Sequence, residues 1–265
     1  MKLINITSMS VLYNNIVFGP IVSRRFGVSL GINLLPLKNK VCNFNCIYCE
    51  CGWTDLKSFK VEYFDANKII TTIEQRFEEL AENKIHIDSI TFAGNGEPTM
   101  HPDFSEIIDE VVRLRNKLLP GIKITVLSNS TLLGVQSIRE SLQKVDAKVM
   151  KLDAGTTDML IKVDKPMSSK NIDWYIQKLT ELKGEVIIQT IFLKGHHDGE
   201  YIDNTTPEEL SAWINALKKI KPKSVMIYTI DRDTPAKDLK KIPIDKLNSI
   251  CNMVLENGID AKVYN

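Results

Sequence analysis

Six runs of apolar and β-branched residues, each followed by a stretch with a different period, recur along most of this 265-residue chain. They are VSLGINL (28–34), DSITFAG (88–94), KITVLSN (123–129), AKVMKLD (147–153), EVIIQTIFL (185–193) and SVMIYTI (224–230). Helix-period segments lie between them at 65–83, 103–119, 134–144, 169–183 and 207–220. In the first, Ile69, Ile70, Ile73, Phe77 and Leu80 fall on helical spacing. At the last, Thr206, Pro207 and Glu209 supply an N-cap, a first-turn proline and the glutamate of a capping box. Strands alternating with crossover helices demand a parallel sheet with right-handed connections. The expectation is therefore an α/β fold, a partial (β/α)6 TIM-like barrel in preference to an open doubly wound sheet. A helix at 245–257 and a short strand, IDAKVY (259–264), close the chain. No linker or low-complexity stretch divides the repeats, so one domain spans 1–265, with an N-terminal extension (1–27), a barrel core (28–230) and a C-terminal helix and strand (231–265).

In such folds reactive groups gather at the carboxyl ends of the strands, where LSN, KLDA, FLKGHHD and TIDRD stand here. Lysine and arginine (34) nearly balance aspartate and glutamate (33), which leaves no whole-molecule field to hold a nucleic acid or an acidic membrane. A nucleic-acid partner would need a local patch and is not favoured. No segment approaches the roughly 18 apolar residues of a membrane span, and the opening residues lack a basic run followed by a long apolar one. A cytoplasmic location follows, where thiols stay reduced. Four of the five cysteines nevertheless crowd into VCNFNCIYCEC (41–51). Cys42, Cys46 and Cys49, spaced C-x3-C-x2-C in a loop, can turn three thiolates toward one centre. Four thiolates normally hold a [4Fe–4S] cube, and three leave one iron open. Structural zinc prefers two separated C-x2-C pairs, and plain core or disulfide cysteines are the remaining alternative. Cys51 reads as a bystander, because a fourth thiolate would close the site, and Cys251 as core packing.

These residues resemble the radical S-adenosylmethionine (SAM) superfamily, whose hallmark C-x3-C-x-aromatic-C is matched by Cys42, Cys46, Tyr48 and Cys49. GNGEP (94–98) is similar to the family's glycine-rich G-G-E-P motif, with Asn95 where a glycine would stand. More narrowly, FGPIVSRRFGVSLGINLLP (18–36), TFAGNGEPTMHPDF (91–104), LSNSTLL (127–133) and KLDA (151–154) resemble a branch of Fe–S oxidoreductases akin to the tRNA wyosine-synthesis enzymes. The resemblance implies a [4Fe–4S] cluster on Cys42, Cys46 and Cys49, with SAM bound to the open iron through its amino nitrogen and carboxylate. It also implies a low-potential electron donor of the flavodoxin or ferredoxin type. Reduction then cleaves SAM to methionine and a 5′-deoxyadenosyl radical that abstracts hydrogen from a substrate, here a small molecule, nucleotide or RNA base.

For SAM, Gly94, Asn95 and Gly96 supply the turn that aims backbone groups at its amino end, and Glu97 can accept a hydrogen bond there; a plain strand-to-helix turn is the bland alternative. Tyr48 packs by the adenine or shields iron from water. Ser128 and Asn129 suit ribose or carboxylate contacts and Lys151 and Asp153 end the next strand, each competing with turn or capping roles. Gln189, polar in an apolar strand, points into the barrel or satisfies a buried neighbour. Arg24, Arg25 and Arg232 suit an anionic substrate or the SAM carboxylate, with salt bridges as the alternative. His196, His197 and Asp198 read as a mobile loop ahead of a metal site, and KKIKPK (218–223) as a solvated helix end. Two other functions stay open: a glycyl-radical-enzyme activase and, without SAM cleavage, an Fe–S electron carrier or sensor, against which GNGEP argues.

Overall fold

The computed structural model describes residues 12–55 and 60–264. In chain order it contains β1 (Val17–Ser23), β2 (Gly27–Ile32), α1 (Ala66–Glu82), β3 (Ser89–Phe92), a 3-10 turn (Pro98–Met100), α2 (Phe104–Leu118), β4 (Lys123–Ser128), α3 (Gln136–Gln143) and β5 (Ala147–Lys151). There follow α4 (Thr157–Asp164), α5 (Ile172–Thr180), β6 (Ile187–His197), β7 (Glu200–Asp203), α6 (Pro207–Ile220), β8 (Ser224–Thr229), β9 (Asp238–Lys241), α7 (Ile244–Glu256) and β10 (Ala261–Tyr264). The six expected strands are β2 to β6 and β8, and they pair in parallel, in that order. The main path begins with β1 and ends with β10, so the sheet remains open as a partial barrel.

Three features depart from the sequence reading. The N-terminal extension contributes a strand that was not expected: β1 pairs antiparallel with β2 and covers that edge, while residues 1–11 lie outside the described part. At the other end β10 pairs in parallel with β8, carrying the core sheet beyond residue 230. The expected mobile loop at 196–198 is ordered structure, since β6 runs on to His197 and pairs antiparallel with both β7 and β9. The apolar runs gave no sign of this second sheet, whose added strands β7 and β9 have four residues each.

Buried side chains from the helices pack against the strands in one core, as Ile69, Ile73 and Phe77 do from α1 and Ile107, Val111 and Leu114 from α2. Trp213 of α6 is fully buried, and its Nε1–H donates to Leu152 O and Thr190 Oγ1, both at 3.2 Å, which fixes α6 over β5 and β6. The helix starts as expected, with Thr206 Oγ1 accepting from Glu209 N–H at 3.3 Å. Glu209 does not complete the capping box. Its carboxylate turns to the neighbouring loop, accepting from Gly155 N–H, Thr156 N–H and Thr156 Oγ1, and so steadies the start of α4. That helix was not expected as a separate element: eight residues with a single apolar face give a weak periodic signal.

Candidate active site

The cysteine loop leaves β2 at the carboxyl edge of the sheet and is held from both sides by backbone. On one side Val41 N–H donates to Asn95 O (2.8 Å) and Glu97 N–H to Val41 O (3.0 Å), a two-bond ladder joining the loop to the glycine-rich turn. On the other, Asn45 N–H donates to Asp164 O (3.0 Å), Ile47 N–H to Val163 O (3.0 Å), and Met167 N–H to Asn43 O (2.9 Å). Three thiols thus gain fixed positions without regular secondary structure beneath them.

The turn explains its glycines. Gly94 and Gly96 have φ of +149° and +139°, a region that L side chains avoid. A Cβ on Gly96 would collide with Val41 O, and one on Gly94 with the Asn33 side chain. Asn95 keeps ordinary φ and turns its fully buried amide away from the site. It accepts from Tyr13 N–H (2.8 Å) and donates to Tyr13 O and Pro36 O, both at 2.9 Å, tying the N-terminal segment to the turn.

Cys42, Cys46 and Cys49 line one cavity of about 170 Å3 together with Tyr48, Gly94, Gly96, Glu97, Ser128, Asn129, Lys151 and Gln189. Nearly every residue expected to hold cluster or SAM therefore meets there. Asn95 and Asp153 do not reach that wall. Asp153 is a buried anchor: its Oδ1 accepts from Ile191 N–H (2.9 Å), and Oδ2 accepts from Lys151 Nζ (2.8 Å) and the Tyr48 hydroxyl. Lys151 Nζ also donates to the Tyr48 hydroxyl, so ring and ammonium are set as a unit. Burial disfavours the Lys151 charge, but Asp153, Cys46 and Asp164 raise its pKa well above the usual value. Glu97 is buried too. Its carboxylate accepts from Thr99 N–H, Thr99 Oγ1, Ser128 Oγ (2.8 Å) and Asn129 N–H (2.6 Å), and burial still raises its pKa. It braces the ends of β3 and β4 against each other.

Four participants escaped the sequence reading. Lys40 lines the cavity with the cysteines; burial opposes its charge, yet Cys49, Cys42 and Cys46 raise its pKa, and Nζ is held by Gly52 O at 2.8 Å. Asp164 accepts from Cys46 Sγ at 3.2 Å, has Oδ2 buried without a partner, and is pushed up to about 8 by burial and by Asp153. Asn33 Oδ1 accepts from Asn95 N–H (3.0 Å), and Tyr228 lines the cavity beside Gln189. In sequence, Lys40 and Asp164 look like surface charges, and only their positions beside the loop set them apart.

The donor set fits an iron–sulfur cube. Cys42 Sγ accepts from Phe44 N–H at 3.4 Å and from Asn129 Nδ2 at 3.6 Å, donors suited to a ligating sulfur, and Lys40 supplies compensating charge. Among the described residues no three His, Cys, Asp or Glu side chains gather tightly enough for one ion. A cube asks for less convergence, because each thiolate meets a different iron. Burial pushes the Cys42 thiol up to about 11 and Cys46 well above the usual value, whereas a hydrogen bond from Cys51 pulls Cys49 down to about 6. Cys51 is pushed up in return, and its Sγ lies 3.4 Å from Gly94 O.

The three arginines meet in a second cavity, of about 260 Å3, that shares Tyr48, Cys49, Cys51, Gly94, Gln189 and Tyr228 with the first. Arg24 pairs with Asp231 at 3.1 Å and Arg232 with Glu50 at 2.6 Å. His197 stacks on Trp53, and Lys165 pairs with Asp198 at 2.6 Å, apart from either cavity.

An open parallel barrel with three thiols and a glycine-lined turn at its carboxyl edge defines a cluster-dependent α/β-barrel enzyme. The chain belongs to the Radical SAM superfamily, whose family model matches residues 39–205. As a member it is an enzyme that uses a [4Fe–4S] cluster and SAM, in keeping with the motif at Cys42–Cys49. A UPF0026 protein of Helicobacter pylori strain J99 is 33% identical over 245 residues, 91% of this chain and 74% of that protein. A Brachyspira hyodysenteriae protein named GTPase Obg is 35% identical over 231 residues, 85% of this chain, which spans only 31% of that longer protein. Among solved structures, a radical SAM methyltransferase from Sphaerobacter thermophilus superimposes with a TM-score of 0.66 at 16% identity, covering 89% of this chain and 65% of that one. Archaeal TYW1 gives 0.52 at 14%, covering 86% and 72%. These last two likenesses are of fold. No helix among the described residues is long and apolar enough to cross a membrane.

Proposed function

We propose that the chain generates a SAM-derived radical in the thiol-lined cavity and spends it on a substrate admitted through the arginine-lined one. The shared wall between the cavities carries this reading, because it sets a space for cofactor directly beside a space for substrate. Bound there, the cluster and SAM supply a one-electron cleavage that yields methionine and a 5′-deoxyadenosyl radical able to abstract hydrogen. The protein's part is to hold and orient. Cys42, Cys46 and Cys49 ligate; Lys40 offsets the charge of the thiolates; Gly94 and Gly96 open backbone groups to the amino end of SAM. Ser128 and Asn129 offer short polar groups to ribose or carboxylate, and Lys151 with Tyr48, fixed by Asp153, offers a cation and an aromatic edge. A flavodoxin- or ferredoxin-type protein supplies the electron.

The test is anaerobic reconstitution with iron and sulfide, followed by dithionite and SAM. About four irons per chain and release of 5′-deoxyadenosine are expected, as one open-site cube implies. Tight zinc in place of iron in protein purified without oxygen would defeat the reading.

A further inference from the structure

We infer that the second cavity recognises a small molecule through a single carboxylate, and that Arg25 is its anchor. The inference rests on the proposal that SAM fills the first cavity. Three guanidiniums face the second cavity, but two are already matched: Arg24 by Asp231 and Arg232 by Glu50, with both carboxylates in the same wall. Arg25 is different. Its guanidinium carbon lies 5.1 Å from the centre of the Tyr228 ring and 5.7 Å from that of Phe26, and no described residue forms an ion pair with it. Its Nη1 is buried without a hydrogen-bond partner. A buried N–H left unpaired is costly, and a guanidinium stacked on an aromatic face is pre-oriented for a planar, two-pronged acceptor. Tyr228, which is hydrogen-bonded by Gln189, borders both cavities, so a group held by Arg25 lies next to the cofactor space.

The charge balance narrows the class further. One unmatched cation takes one negative charge, and the pairs Arg24–Asp231 and Arg232–Glu50 leave no second free guanidinium in the wall for another. A monocarboxylate is favoured over a phosphate monoester, which carries close to two charges near neutral pH.

The experiment uses the reconstituted, SAM-loaded protein and three probes of one shape: benzoate, benzamide and phenyl phosphate, measured by anaerobic equilibrium dialysis. Benzoate is expected to bind at least tenfold more tightly than either of the others. Arg25→Gln should abolish that preference, and Arg25→Lys, which keeps the charge and loses the fork, should retain part of it. Iron content and SAM affinity of both variants should match the parent. Equal binding of benzoate and benzamide to the parent overturns the inference, as does a preference for phenyl phosphate or an undiminished preference in Arg25→Gln. A selective loss of SAM affinity in the Arg25 variants also overturns it and assigns the guanidinium to the cofactor. Failure of the parent to form 5′-deoxyadenosine would instead strike the function proposed above, whatever benzoate does.

Discussion

Four thiols in one loop do different work because their surroundings differ. Cys42 and Cys46 are buried, with donors to the sulfur of one and Asp164 beside the other; Cys49 takes a hydrogen bond from Cys51, whose own contact is the carbonyl of Gly94. Replacing Cys42, Cys46 or Cys49 by alanine is expected to reduce bound iron several-fold and end 5′-deoxyadenosine formation, because the cube loses one of three protein anchors. Cys51→Ala should keep about four irons, with a modest change in redox potential as the hydrogen bond to Cys49 disappears. Iron assays on the four variants, reconstituted side by side, decide; equal loss from Cys51→Ala would mean a fully protein-ligated cluster. That these three thiols share one cavity was legible at this scale, because their spacing is local. Asp164 and Tyr228 were not, since each enters the site from a distant element, and Lys40, though close in sequence, was not because a lone buried lysine has no sequence signature. Asn95 and Asp153 were located in the right turn and strand end but act behind the wall, a distinction set by side-chain direction.

At the scale of elements, the join between the 3-10 turn and α2 carries a titratable support. His101 is almost wholly buried; its Nε2–H donates to Phe64 O at 3.1 Å and its Nδ1 accepts from Asp103 N–H at 3.1 Å. Both ring nitrogens are satisfied only in the neutral form, and burial lowers the pKa despite the opposing pull of the Phe64 carbonyl and Asp103. The sign follows. As pH falls through about 6.5 the unfolded chain gains a proton that the folded ring resists, so stability falls by at most about 1.4 kcal/mol per pH unit until the folded pKa is reached. Urea unfolding of the reconstituted protein from pH 7.5 to 5.5 should show this loss, and His101→Gln should show less of it. Parallel curves would remove His101 as the cause, whatever other groups titrate. The repeated strands and long helices were legible because a long apolar period survives local noise; β7, β9 and α4 were not. β7 and β9 have four residues each and α4 has eight, and they owe their order to neighbours: β6 for the two strands, Glu209 and the cysteine loop for the helix.

For the whole molecule the question is whether a nucleic acid could be the substrate-bearing partner. The net charge is +1, and the three arginines, instead of forming a phosphate track, share one cavity with Asp231 and Glu50. The lysines at 218 and 219 close α6, where cations complement the end of the helix dipole, and they lie outside both cavities. Each phosphate neutralised contributes about −0.9 to the slope of log affinity against log salt, so six contacts lose roughly a thousandfold between 50 and 200 mM. With one unmatched guanidinium the slope should be near −1, about a fourfold change over that range. Bulk tRNA binding by the reconstituted protein is therefore expected to be weak and to vary by less than tenfold from 50 to 200 mM salt. A thousandfold decline, reduced by neutralising Arg24 or Arg232, would reveal a phosphate track assembled from groups that are paired in the free protein. It would then move the substrate from small carboxylates to RNA.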